Sequence, residues 1–145
     1  MNVGKRRKAR VLALKILYIY EINDFSNLDN IVDEVFRLEE NLTDDVKDYS
    51  LNLIKKVTLF FDKLNEIIDG VTKNWSIHRM AIIDKNILRI ALVEIFFQDN
   101  VPDVVAIDEA IEIAKLYSTS DSGGFVNGIL DKILKNKEKY LSEFK

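Results

Sequence analysis

Six basic side chains, Lys5, Arg6, Arg7, Lys8, Arg10 and Lys15, fall within the first fifteen residues, with no acid among them. Clustered lysine and arginine neutralise phosphates and release counterions, so this run offers the grip of a polyanion. The rest of the chain has the opposite sign. Of 21 Lys and Arg, 15 lie beyond this run. All 24 Asp and Glu lie there too, a net of −9 within a chain whose total is −3. Residues 21–48 alone hold ten acids, from Glu21 to Asp48, and two bases, Arg37 and Lys47. A positive edge on an acidic body suits a protein that holds nucleic acid at one end and leaves its other surfaces free. Tyr18, Tyr117 and Phe125 are aromatics that could stack unpaired bases, a chemistry that fits single-stranded RNA better than duplex. Taken singly, each aromatic reads as core packing and the basic run as a solvated helix start; the combination is the signal.

Catalytic chemistry is sparse. The chain has no cysteine and one histidine, His78, so a Cys-His nucleophilic site, a disulfide framework and a thiolate zinc site are all excluded. The plain reading of His78, just after Trp75 at the mouth of an apolar stretch, is a packing or capping residue. A di-iron carboxylate bundle needs Glu-x-x-His pairs, and position 75, three before His78, is tryptophan. Asp108, Glu109 and Glu112 read as acids favoured by a helix dipole rather than as metal ligands. The run Gly123-Gly124-Phe125-Val126-Asn127-Gly128 lacks the Lys-Ser/Thr ending of a nucleotide-binding loop. Gly123 and Gly124 instead read as the turn between two helices. Arg89 and Glu94, inside an apolar stretch, call for partners in an ion or hydrogen-bond network. No metal or cofactor is expected.

The elements that position these groups are helices, because apolar residues recur at helical spacing almost throughout. A first helix is expected from about Lys5 to Asn23, apolar around much of its circumference and so central. A second spans about Leu28 to Glu39. Thr43 caps a third, which breaks near Leu59–Asp62 into a fourth that ends at Gly70 and Lys73–Ser76. The fifth, Met80 to Gln98, is the most apolar. Pro102 opens the sixth. Ser118 to Gly124 reads as a loop, and a seventh helix begins near Phe125. The last residues, rich in Lys and Glu, read as frayed. At 145 residues the length fits one domain. Lys15 interrupts the apolar run that follows the basic start, so that start is not expected to be a signal peptide. No stretch reaches the length of a membrane span, and the expected location is cytoplasmic.

Three blocks of residues in order carry a resemblance. The first is Arg6-Arg7-Lys8-Ala9-Arg10 followed by Ala13, Leu17 and Tyr18. The second runs from Asp84 through Ile87-Leu88-Arg89-Ile90-Ala91 to Glu94, then Val101-Pro102 and Val105 to Lys115. The third is Phe125-Val126-Asn127-Gly128-Ile129-Leu130-Asp131-Lys132. Over essentially its full length the chain resembles the NusB family of transcription antitermination factors. The resemblance implies an all-α fold of seven helices in two small subdomains, about 1–60 and 61–145. It implies binding of boxA-type single-stranded RNA from rRNA operon transcripts, together with the ribosomal protein NusE, in the RNA polymerase antitermination complex. By carry-over, Lys5, Arg6, Arg7, Lys8 and Arg10 form the phosphate-binding edge, and Tyr117, Asp121 and Phe125 lie near the RNA. Asp121 would accept a hydrogen bond from a base amino group. Tyr18 and Asp84 fall on the NusE-facing side, where the acidic surface attracts a basic protein.

Two positions depart from the family pattern: Asp108 stands where asparagine is usual, and Gly124 where a basic residue is frequent. NusB-like domains also occur fused to an RNA methyltransferase, but this chain holds no such catalytic domain, so no enzymatic role is expected. The alternative of a different class is a helical protein-interaction module without specific RNA binding. The sequence leaves the oligomeric state open, including a homodimer that hides the basic edge.

Overall fold

The computed structural model describes residues 2–72 and 77–144. The expected end of the fourth helix at Lys73–Ser76, and with it Trp75, lies outside the described residues. Among the described residues every regular element is a helix: α1 (Val3–Ile22), α2 (Leu28–Leu38), α3 (Asp44–Leu59), α4 (Phe61–Val71), a 3-10 turn (Ile77–Arg79), α5 (Ile82–Phe97), α6 (Asp103–Tyr117), α7 (Ser122–Leu134) and a short α8 (Lys137–Ser142). The expected all-α architecture is present, with one short helix more than expected.

The central element is α1. Asn2 caps it, its side-chain oxygen accepting the Lys5 backbone N–H at 2.8 Å. Ala9, Leu12, Ala13, Leu14, Ile16 and Leu17 are buried around more than one face, because α1 packs against α2, α3 and α5 at once. α5 is buried from Ile87 to Phe96, including Arg89 and Glu94, and packs against α1, α3, α4, α6 and α7. The expected break between the third and fourth helices is a single residue, Phe60 (φ −104°, ψ 21°). Its ring stacks on Phe97 at 4.6 Å between centroids, which fixes the corner through packing rather than through a breaker residue.

Two expectations are corrected. α7 begins at Ser122, not near Phe125, so Gly123 and Gly124 lie in its first turn and neither has positive φ. Gly123 serves close approach. A Cβ there would sit 3.3 Å from Lys115 Cγ and 3.5 Å from Ile111 Cγ2 of α6, and α6 and α7 are packed along their lengths. The C-terminal segment is not frayed. Tyr140, Leu141 and Phe144 pack on the core, Phe144 meeting Phe60, Phe96 and Phe97 with centroids 5.0–5.4 Å apart, and Lys137 bonds Asp103 at 2.9 Å. The Lys/Glu composition hid this apolar face. No described helix is long and apolar enough to cross a membrane.

Candidate nucleic-acid interface

Four successive basic residues on a helix point in four directions, about 100° apart. Each therefore meets a different neighbour. Lys5 Nζ lies 3.3 Å from Asp45 of α3. The Arg6 guanidinium sits over the Tyr49 ring at 5.4 Å. Arg7 Nε donates to Glu109 Oε2 of α6 at 2.7 Å. Lys8 Nζ donates to the Glu40 carbonyl at 3.0 Å and lies 3.5 Å from the Glu39 carboxylate. The Lys5, Arg7 and Lys8 side chains keep 43%, 39% and 33% of their surface in solvent. Surface ion pairs of lysine are weak and exchange readily for another anion. The start of α1 is thus a cationic edge whose lysines are lightly held, while Arg7 is tied at Nε to the buried Glu109.

Arg10 departs from that edge. Its side chain is 3% exposed; Nε and Nη2 donate to the two carboxylate oxygens of Glu94, each at 2.8 Å. The Tyr49 hydroxyl donates to the same carboxylate. Burial pulls the Arg10 pKa down, and the bonds and charge of Glu94, with Tyr49 and Glu109, more than offset it. Burial and then the Glu94 charge push the Tyr49 hydroxyl up. Arg10 was expected at the phosphate-binding edge; it is a structural ion pair instead, because its fork is filled by Glu94 inside the core. The void beside this pair is about 10 Å³, too small for a ligand. Arg89 has the network its position called for: Glu21 at 2.7 Å, Asn65 at 2.8 Å and Asn86 at 3.0 Å. Asp108, Glu109 and Glu112 lie past the first turn of α6, which starts at Asp103, so the dipole explanation fails for them. Glu109 is instead the partner of Arg7. No group that could hold a metal occurs among the described residues.

The second candidate region is the α6–α7 turn. Tyr117 is 43% exposed at the end of α6. Asp121 is exposed at the N-terminal boundary of α7, and Phe125 is half-buried one turn on. An open groove of about 680 Å³ is lined by Arg79, Met80, Ala81, Asp84, Thr119, Asp121, Ser122 and Phe125. It offers an aromatic face, a cation and hydrogen-bonding groups together, the set a splayed-out base requires. α6 joins this region to the first one. Tyr117 lies eight residues beyond Glu109, roughly 12 Å along the axis at 1.5 Å per residue.

Asp84 is buried. Oδ1 accepts from Ser118 Oγ at 2.7 Å and Oδ2 from Ser122 Oγ at 3.1 Å, so it clasps α5 to the α6–α7 turn. The structure thereby joins Asp84 to Asp121 and Phe125 in one groove rather than leaving its carboxylate free for a partner. Tyr18 is half-buried on α1, one turn before Glu21. The roles of Arg79, Tyr49 and Glu109 at this site were not foreseen: Glu109 was expected as a dipole-favoured acid rather than as the partner of Arg7. Arg79 carried a faint signal, a cation just before a buried helix; Tyr49 and Glu109 carried none, since each acts through a contact distant in sequence.

The NusB family model matches residues 7–135. The transcription antitermination protein NusB of Desulforapulum autotrophicum is 36% identical over 139 residues, covering 94% of this chain and 97% of that protein. Among solved structures, T. maritima NusB superimposes with a TM-score of 0.84 at 37% identity, covering 93% of this chain and 96% of that one. A crystal structure of antitermination factors NusB and NusE in complex with double-stranded RNA matches with a TM-score of 0.82 at 25% identity, covering 92% and 98%. Sequence match and fold agree nearly end to end, and on that ground this chain belongs to the NusB family.

Proposed function

We propose that this chain is a transcription antitermination factor without enzymatic activity. It binds boxA-type RNA of rRNA operon transcripts together with the ribosomal protein NusE and delivers that complex to RNA polymerase. The observation that carries the reading is the cationic start of α1 held against the flank of α6, whose far end carries the exposed Tyr117, two residues before Thr119 of the Asp121–Phe125 groove. Lys5, Arg6, Arg7 and Lys8 contact phosphates; Tyr117 and Phe125 stack bases; Asp121 accepts from a base amino group. The acidic surface over residues 21–48, with Tyr18 nearby on α1, faces the basic partner. Family membership supports this, as does the fold shared with a NusB solved with NusE and RNA.

Fluorescence anisotropy tests it, with a boxA-type single strand, a scrambled strand and a duplex, with and without NusE, across salt. Selective binding that tightens with NusE is expected. With Arg10 buried, four phosphate contacts remain on α1, so the log-log salt slope is about −2.8 at roughly 0.7 per phosphate. Arg7→Ala lowers affinity; it also lowers the unfolding midpoint modestly, because buried Glu109 loses its hydrogen-bond donor. Equal weak binding to all three RNAs, unaffected by NusE, would instead favour a protein-interaction module. Sedimentation run alongside reads the oligomeric state; a homodimer that dissociates when RNA is added is the outcome expected if a dimer covers the basic edge.

A further inference from the structure

Among the described residues Glu109 is the buried carboxylate that touches the cationic edge from beneath: its side chain is 8% exposed, while that of its partner Arg7 is 39% exposed. The contact is side-on, through Nε at 2.7 Å. Among the described residues the two terminal nitrogens of Arg7 have no hydrogen-bond partner, and neither is a buried orphan. The end of the guanidinium therefore faces water. Glu109 also lies 3.9 Å from Arg10 Nη1, and Arg10 is itself fixed by Glu94. The carboxylate is thus anchored from the core side and grips Arg7 on the other. The hydrogen bond from Arg7, with the nearby negative charge, holds that guanidinium above its ordinary pKa, so it remains charged throughout.

We propose that Glu109 is a positioning residue for RNA binding: it holds Arg7 side-on so that the two terminal nitrogens form a preset fork for a backbone phosphate. The inference rests on the RNA reading given above. Arginine's fork matches phosphate oxygens two at a time, and an arginine already ordered loses less side-chain freedom on binding. The idea opposes simple electrostatics. Glu109 is an anion beside a phosphate site, and removing it on charge grounds alone tightens binding to a polyanion.

That opposition supplies the test. Wild-type affinity for the boxA-type strand is measured first; absence of binding there overturns the RNA reading itself. Given binding, Glu109→Leu keeps the size and deletes the acceptor, and it is expected to weaken RNA binding about three- to tenfold, the worth of one ordered side chain. Glu109→Gln retains an acceptor for Nε and recovers most of that loss. Glu112→Gln removes the same charge from the same stretch of α6 without touching Arg7 by hydrogen bond, and leaves affinity unchanged or tighter. In an Arg7→Ala background, Glu109→Leu costs nothing further. Tightening by Glu109→Leu equal to that of Glu112→Gln would overturn the proposal, as would an undiminished loss in the Arg7→Ala background. Should Glu109→Leu not fold, Glu109→Asp decides: it keeps the charge and, one methylene shorter, withdraws the acceptor from Arg7 Nε. Weakened binding supports the proposal; wild-type affinity overturns it.

Discussion

Two ionic clusters staple α1 to α5, with the charges reversed between them. In the first, α1 supplies the cation: Arg10 is clamped on Glu94, Tyr49 donates to the same carboxylate, and Glu109 leads out to Arg7. In the second, α1 supplies the anion: Glu21 meets Arg89 at 2.7 Å and Lys85 at 2.8 Å, and Asn65 and Asn86 fill the remaining positions. The pairings climb α1 while descending α5, so the two helices run antiparallel. The difference lies in the exits. The second cluster closes on itself, with Arg89 2% and Lys85 14% exposed. The first opens to solvent through Arg7 and is flanked by Arg6 over Tyr49. Neighbours on other helices, rather than membership of a basic run, decide whether an arginine can meet a ligand.

The largest effect expected from breaking this contrast is at Glu94. Glu94→Ala leaves the Arg10 guanidinium buried without its partner, which costs about 3–5 kcal/mol. Urea unfolding measures it. A loss below about 1 kcal/mol would show Arg10 free to swing toward solvent, and would return it to the phosphate-binding edge.

The elements of the fold were legible because apolar spacing and hydrophobic burial share one cause, and α1 and α5 stood out as the helices apolar on several sides. Position 10 was misread for a physical reason. Its partner Glu94 is 84 residues away, and nothing local marks Arg10 as different from Arg7. The glycines at 123 and 124 were misread similarly. Local rules associate paired glycines with turns, whereas the demand at Gly123 comes from Lys115 and Ile111 across the α6–α7 contact. Of the candidate site, the cationic edge was visible in composition alone. The groove at the α6–α7 turn was not, because Arg79 and Asp84 reach it only through the fold.

A smaller effect separates the two clusters by pH. Burial pushes the Glu21 carboxyl up, but the Lys85 bond and the Arg89 charge more than offset this and hold it below its ordinary 4.5. A group with a depressed folded pKa contributes stability that is present above its unfolded value and lost as pH falls through the folded one. Thermal midpoints of the wild type are thus expected to fall toward those of Glu21→Gln as the pH drops below about 4.5, while the variant lies lower at neutral pH. RNA affinity at neutral pH stays the same, because this cluster does not open on the edge. Parallel midpoint curves would remove Glu21 as the source; a drop in RNA affinity would join the two clusters functionally.

The smallest expected effect extends the open side. Gly124 is exposed in the first turn of α7, a Cβ there meets nothing within 4 Å, and its φ is not positive, so Gly124→Lys fits without strain. The substitution gains helix propensity of about 0.5–1 kcal/mol, against a few tenths lost by placing a cation near the helix N-terminus. Its stability change is therefore small and its readout is RNA. If the strand runs from the α1 edge past Tyr117 to the groove, the added ammonium meets one more phosphate. The salt slope then steepens by about 0.7, and affinity rises about two- to fivefold, the worth of one exposed ion contact. An unchanged slope would place the start of α7 off the path of the backbone. The groove would then receive bases alone, with the phosphates held entirely by the cluster that opens at Arg7.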